Sequence, residues 1–173
     1  MRAITIVIVN WSSGSQLREC VRSLRGAAER APVDQVIVID NDSRDGSVDG
    51  LPEWHRLTVV RNPSNYGFGR ACNQGARMAN GDFLLFLNPD VRLLPDSLVL
   101  PLRFMETPES SRVGVCSIRL VSEQGVVARD CWRFPRMSDF FGMSLGLDRA
   151  FPGLRFPRMR EWAHDCDRRV DHV

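Results

Sequence analysis

The sequence predicts an α/β domain: a mostly parallel sheet flanked by helices, followed by an irregular C-terminal segment. Three observations predict it. Strand-like apolar runs alternate with helix-like stretches through the first 90 residues, the pattern of βαβ units. The runs are short, rich in Val, Ile and Leu, and lack polar alternation, as strands covered on both faces do. From Arg133 onward the text changes to Pro, Gly, Arg and aromatic residues with no clear period.

The elements follow in order. Residues 3–10 (AITIVIVN) form a β-branched run that suits a first buried strand. In the stretch that follows, Leu17, Val21, Leu24 and Ala28 recur at helical spacing with arginines between them. Ser13 and Gln16 have the spacing of a capping box at its start, and Pro32 ends it. Residues 35–40 (QVIVID) are a second buried strand, and NDSRDGSVDG after it is turn chemistry. Residues 56–62 (RLTVVRN) are a third strand. A second helix covers Phe68 to Asn80, with Gly81 as its stop. Its small residues Ala71, Cys72, Gly75, Ala76 and Ala79 suit close packing on a sheet. Residues 82–88 (DFLLFLN) are a fourth buried strand, running straight into Asn88-Pro89-Asp90. A short helix within residues 95–106 is disturbed by Pro101. RVGVCSIRLV, EQG and VVARDCW then read as a hairpin. The expected organisation is a domain over residues 1–132 and an irregular segment over 133–173.

Composition narrows the function classes. The chain has 173 residues, enough for one domain with a substantial core, and its 43% hydrophobic and 25% charged content is ordinary for a globular protein. A net charge of +2 makes no case for nucleic acid as a partner. All 23 basic residues are Arg, which reflects base composition of the gene and excludes any mechanism that needs a Lys, such as a P-loop or a Schiff base. The five cysteines are widely spaced with no C-x-x-C pair, which points to reduced thiols, mostly core residues, in a cytoplasmic protein. The N-terminal apolar run is too short for a signal sequence or a membrane span.

The chemistry concentrates where three strands end. They end at Val9-Asn10-Trp11, at Asp40-Asn41-Asp42 and at Asn88-Pro89-Asp90. In a parallel sheet these ends converge on one edge, and open α/β sheets bind ligands there. Clustered carboxylates repel unless a cation or hydrogen-bond donors neutralise them, and hard oxygen ligands favour Mg²⁺ or Mn²⁺, which commonly bridge to a substrate phosphate. No glycine-rich phosphate loop follows the first strand, because NWSSGSQ matches neither G-x-G-x-x-G nor a P-loop. That disfavours a dinucleotide dehydrogenase or a P-loop ATPase.

Four blocks carry a family resemblance: ITIVIVNWSSGSQLRECVRSL, VIVIDNDSRDGS, NPSNYGFGRACNQGARMANG and DFLLFLNPDV. In this order and spacing, across residues 3–100, the chain closely resembles the inverting family-2 glycosyltransferases of GT-A fold, and most of all their bacterial rhamnosyltransferase-like branch, which builds cell-envelope polysaccharide. The resemblance implies site residues position by position. Val9 and Trp11 fall where the family lines the nucleobase, and Asp40 on the acid that hydrogen-bonds the base. Asp42 matches the second acid of that loop, and Asn73 the Asn on the helix beside the nucleotide. Asn88 and Asp90 occupy the D-x-D-type motif, whose last Asp binds the metal, Mg²⁺ or Mn²⁺. The first acid is here Asn, which can still bond a ribose hydroxyl but contributes no charge. The implied partners are a nucleoside-diphosphate sugar, with dTDP-rhamnose as the specific expectation, and a glycan or lipid-linked acceptor whose deprotonated hydroxyl displaces the diphosphate.

The family's catalytic base lies in a later segment, after a V-D-x-V stretch and a small-residue motif. This chain ends at RRVDHV, so the resemblance implies C-terminal truncation. No catalytic residue is assigned; the late acids Asp165, Asp167 and Asp171 are present, and none is taken as the base. Truncation would leave apolar surface open, so either a disordered tail or self-association is expected. Each residue also has an ordinary reading. Asp90 is a turn or cap residue, Asp40 and Asp42 are Asx-turn residues, Trp11 is a core or rim aromatic, and Asn65 and Gly67 shape the turn before the second helix. His164, Cys166 and His172 match no zinc-ligand spacing. Residues 133–160 carry six Arg against two Asp. They suit peripheral contact with an anionic membrane surface on the inner face of the plasma membrane, or an acceptor-side flap. Two other functions stay open at this point: a truncated, non-catalytic nucleotide-binding module, and a sugar nucleotidyltransferase, which normally needs a basic glycine-rich loop that NWSSGS lacks.

Overall fold

The structure, a computed structural model, describes residues 2–128, 131, 134–151 and 170. The chain divides into two compact units, Met1–Cys116 and Ser117–Val173.

The first unit is a four-stranded sheet with the order β3-β2-β1-β4, where β1 is Ile4–Asn10, β2 Val33–Asp40, β3 Leu57–Arg61 and β4 Phe83–Leu87. All three pairings are parallel. The β-branched runs become the two central strands because only there are both faces covered: every residue of β1 is buried, as are the last five of β2. The fourth strand departs from the sequence expectation. β4 pairs only with β1, and Leu84 and Phe86 remain 43% and 47% exposed, so it is an edge strand with one open face rather than a buried one. Its uniform apolar run carries no information about which neighbours it has.

Helix α1 (Gln16–Ala27) buries Leu17, Cys20, Val21, Leu24 and Ala27, the stripe its periodicity predicts. It starts without a side-chain cap, and Ser13 makes no capping box. The N-cap position falls on Ser15, so Ser13 lies too early to cap the helix, and its hydroxyl donates to Asn10 Oδ1. The helix also ends at Ala27, short of Pro32. Helix α2 (Phe68–Arg77) packs on the other face, where Ala71 and Cys72 meet Val7, Val9, Ile37 and Ile39. The α1 crossover runs from β1 to β2, and the α2 crossover runs the other way, from edge strand β3 past β2 and β1 to β4; right-handed crossovers in opposite directions place their helices on opposite faces. α2 stops at Arg77, before the expected Asn80. Gly81 is not its stop: a Cβ there would lie 2.7 Å from the Thr5 backbone N, so Gly81 permits the chain to cross the start of β1, where its N–H donates to Thr5 Oγ1 at 3.0 Å. Helix α3 (Val99–Met105) is shorter than expected and takes Pro101 in its first turn, where the missing N–H costs little.

Of the small residues expected to pack, Ala71, Cys72 and Gly75 are buried, whereas Ala76 is only half-buried and Ala79 lies past the helix end. A Cβ on Gly75 would stand 2.4 Å from Val7 Cγ1, whereas one on Gly69 meets nothing within 4 Å. The two glycines of one helix should therefore respond with opposite sign. Gly69→Ala should raise stability by up to about 1 kcal/mol through helix propensity. Gly75→Ala should lower it by about 1–3 kcal/mol, because overpacking against β1 outweighs the same propensity gain. Urea unfolding of both variants beside the wild type checks this; stabilisation by Gly75→Ala would mean that α2 sits farther from the sheet.

In the second unit the expected hairpin is reduced to one antiparallel bridge, Val121 with Val127, around a turn at Ser122–Gly125. Helices α4 (Met137–Ser144) and α5 (Leu147–Ala150) follow, as expected of loop and short helix. Among the described residues no helix is long and apolar enough to cross a membrane. Residues 152–160 of the Arg-rich aromatic stretch, and His164, Asp165, Cys166, Asp167, Asp171 and His172, lie outside the described residues.

Candidate functional site

The register of the sheet builds the site. Asn10 pairs with Asp40 at the ends of β1 and β2, and Ile8 pairs with Leu87 in β4, so Asn88 follows within one residue of the same line. The parallel sheet thus brings Val9, Trp11, Asp40, Asp42 and Asn88 to its carboxyl edge. The individual side chains differ in what they can do. Val9 is buried among Ala71 and Cys72 on the α2 face and acts as core beneath the edge. Trp11 is 63% exposed, so it is not a core residue. Asn73 is exposed on α2, while its neighbour Gln74 turns inward. Asp42 is half-buried at φ +67°, in the left-handed region that Asp tolerates better than most residues, and stands 3.8 Å from Arg44.

Asp40 is only 3% exposed and receives the Asn10 Nδ2 amide at 2.9 Å. Asn10, 0% exposed, also places Nδ2 2.8 Å from Ser47 Oγ and 3.0 Å from Ser43 Oγ. The loops after β1 and β2 are tied again where Ser12 N donates to Ser43 Oγ (2.9 Å) and Gly14 N to Asp45 Oδ2 (2.8 Å). The Ser47 hydroxyl and N–H, with the Gly14 N–H, hold the Asp45 carboxyl below its ordinary range.

A second set of amides ties in β3 and α2. Asn41 Nδ2 donates to Asn65 Oδ1 (2.8 Å), and Asn41 Oδ1 accepts from Asn62 Nδ2 and from Tyr66 N, both at 3.1 Å. Asn62 and Gln74 exchange a reciprocal amide pair at 3.0 and 2.9 Å. Asn65 Oδ1 also accepts from the N–H of Gly67, whose φ of +82° opens α2, so both residues shape that turn as their types suggest. Sequence reasoning passed over Asn10, Asn41, Asn62, Gln74, Ser43 and Ser47. The available signal was that two uninterrupted apolar strand runs end in side chains able to bond across the loops, Asn10 after one and Asp40-Asn41 after the other.

Asn88 and Asp90 are both exposed just past β4. Cys20 of α1 approaches this corner, its thiol 3.7 Å from the Asn88 carbonyl. Burial and then the charge of Asp90 push that thiol up to about 12, so it stays protonated and inert. Among the described residues no group of three His, Cys, Asp or Glu side chains comes together that could hold a metal ion. A cation at Asp90 would have to share its coordination with water or a ligand's oxygens, which is how Mg²⁺ and Mn²⁺ bind at phosphate sites.

With this geometry in hand, the comparisons with known proteins are specific. Residues 5–149 match the family model Glycosyl transferase family 2. An uncharacterized glycosyltransferase of Haemophilus influenzae is 27% identical over 103 residues, 60% of this chain and 34% of that protein. The chain therefore spans about a third of the length of that curated relative. Among solved structures, the mannosyltransferase PcManGT from Pyrobaculum calidifontis, in complex with GDP-Man and Mn²⁺, superposes with a TM-score of 0.55 at 18% identity, covering 82% of this chain and 38% of that one. S. aureus TarS 1-349 in complex with UDP-GlcNAc gives 0.54 at 21% identity over 60% of this chain and 31% of that one. At these identities the structural likeness is one of fold. The family match, spanning both the paired strand ends and the Asn88-Pro89-Asp90 corner, settles the affiliation: this chain belongs to glycosyl transferase family 2.

Proposed function

We propose that the chain carries the donor site of an inverting glycosyltransferase, which moves a sugar from a nucleoside diphosphate to a hydroxyl of a glycan or lipid-linked acceptor. The observation that carries the reading is the register of the sheet edge, which pairs Asn10 with Asp40 and brings Asn88 alongside. In this reading Asp40 accepts an N–H of the base, exposed Trp11 covers the base, Val9 forms the floor beneath it, and Asp42 and Asn73 flank the nucleoside. Asn88 bonds a ribose hydroxyl. The donor set at Asp90 fits Mg²⁺ or Mn²⁺: one hard, exposed carboxylate with room for diphosphate oxygens and water. Bound there, the ion would offset the charge that develops on the departing diphosphate. The acceptor oxygen bonds to the anomeric carbon as the bond to the diphosphate oxygen breaks; the proton leaves to a base that none of the described residues is assigned to supply.

The neighbours of this fold are bound to GDP-Man and to UDP-GlcNAc, while the motif blocks favour dTDP-rhamnose as donor. Calorimetry should therefore use dTDP, UDP and GDP, each with and without Mn²⁺. At least one is expected to bind with a Kd in the range of about 1–100 μM with metal, roughly −8.2 to −5.5 kcal/mol. Absence of heat from all three with Mn²⁺ present would overturn the reading.

A further inference from the structure

Asn10 sits where the ends of β1 and β2 and the loop after β2 meet. Its side chain is fully buried, and its Nδ2 faces Asp40 Oδ1, Ser43 Oγ and Ser47 Oγ within 3.0 Å. The Ser13 hydroxyl donates to its Oδ1, and its main-chain carbonyl accepts the Asn41 N–H at 2.8 Å. An amide NH₂ can only donate, so the oxygen of Asp40 that faces Asn10 is held as an acceptor of that N–H. No protein donor reaches Asp40 Oδ2 among the described residues. A buried carboxylate with one oxygen tied and the other open is an acceptor of fixed direction.

We propose that Asn10 is a positioning residue for base recognition. Its amide holds Asp40 so that Oδ2 is presented to the nucleobase, and the site takes a base with a single imide N–H, uracil or thymine, ahead of cytosine. This rests on the donor-site reading above. Uracil and thymine offer an N–H between two carbonyls, which matches one open acceptor. Cytosine presents a lone pair at the same atom and meets the carboxylate with repulsion. Guanine offers two adjacent N–H donors to a carboxylate that has one of its oxygens already engaged. The charged groups around the pair are Arg61 on β3, which feels the charge of Asp40, and Asp42 and Asp45 in the following loop.

The test is the ratio of UDP to CDP affinity, measured by calorimetry with Mn²⁺ at about pH 5.5 and about pH 8, since the shared diphosphate cancels its own titration from the ratio. The wild type is expected to prefer UDP by about tenfold or more at both pH values. Asn10→Asp puts a second carboxylate against Asp40. At the lower pH the pair shares one proton and that proton replaces the amide donor, so the preference should survive; at the higher pH both are charged and it should fall to within about threefold of unity. Asn10→Ser, whose hydroxyl is too short to reach Asp40, should lose the preference at both pH values. Thermal melts of both variants separate loss of recognition from loss of fold. Should Asn10→Asp fail to fold, Asn10→Ser alone decides. A pH-independent, wild-type ratio in the folded variants overturns the role of Asn10. A wild type that binds UDP and CDP equally overturns it as well while leaving the donor site standing, whereas a wild type that binds neither overturns both.

Discussion

Asp90→Ala is expected to abolish the dependence of nucleoside-diphosphate binding on Mn²⁺ or Mg²⁺. The wild type should bind its diphosphate at least about tenfold more tightly with metal than without, and the variant should bind equally weakly in both conditions. The size of the effect follows from how little else is present. The residue two positions earlier is Asn88, which brings no charge, and among the described residues no three acidic or imidazole groups gather to hold an ion. Asp90 is therefore the one carboxylate that the Asn88-Pro89-Asp90 motif itself supplies. Asp90→Asn separates charge from shape: it keeps an oxygen ligand in place and should still lose most of the metal effect. Asn88→Asp should do the reverse and tighten metal binding, since it adds a second carboxylate one residue past the last pair of β4 with β1. Calorimetry with the metal varied at fixed nucleotide reads all three. A metal response undiminished in Asp90→Ala would place the ion elsewhere. The fold should be indifferent to these changes, because both positions are exposed.

Asp40→Ala is expected to weaken nucleotide binding about tenfold to a hundredfold whether or not metal is present, the cost of one charge-assisted hydrogen bond of about 1.5–3 kcal/mol. Loss of the side chain does not strand Asn10, whose amide retains Ser43 and Ser47 as acceptors, so stability should fall by only about 1 kcal/mol. Asp40→Asn gives a sharper outcome. The new amide must turn its oxygen toward the Asn10 donor, since two NH₂ groups cannot face each other in a buried site. Its own NH₂ then occupies the place of Oδ2. A donor now faces the base, repelling the imide N–H of uracil and matching the N3 lone pair of cytosine. The preference should invert, with CDP bound more tightly than UDP. Equal weakening of both nucleotides would mean that Asp40 acts through loop structure and does not touch the base. Because Asp40 and Asp90 stand at the ends of different strands with no hydrogen bond or ion pair between them among the described residues, the two losses should add in the double variant.

The strands and helices were largely legible in the sequence because local pattern determines them. ITIVIV and VIVI have no polar alternation, and such runs settle where both faces are covered; Leu17, Val21 and Leu24 recur at helical spacing, and the helix buries that stripe. Gly75 could be read as a site of close packing because a residue without Cβ among other small residues has few other uses. The errors fall where one local pattern serves two purposes. Ser13 and Gln16 have capping-box spacing, but the helix begins only at Gln16 with Ser15 as its N-cap, which leaves the Ser13 hydroxyl to donate to Asn10. Gly81 follows a helix as a stop would, yet its need for no side chain comes from Thr5, far away in the chain.

The sequence by itself determined that apolar strands would end in Asp40 and in Asn88-Pro89-Asp90, and that these ends would share one edge, because short-range hydrophobic pattern and the handedness of βαβ crossovers leave little alternative. Only the tertiary structure decided that β4 lies at the edge of the sheet, that Asn10 stands opposite Asp40, and that two separate amide clusters lock the loops around them. The reason is that strand order, register and side-chain hydrogen bonds depend on partners tens of residues apart. A residue such as Asn10 shows in its own neighbourhood only that a strand has ended, and acquires its role when the pairing places a carboxylate across from it.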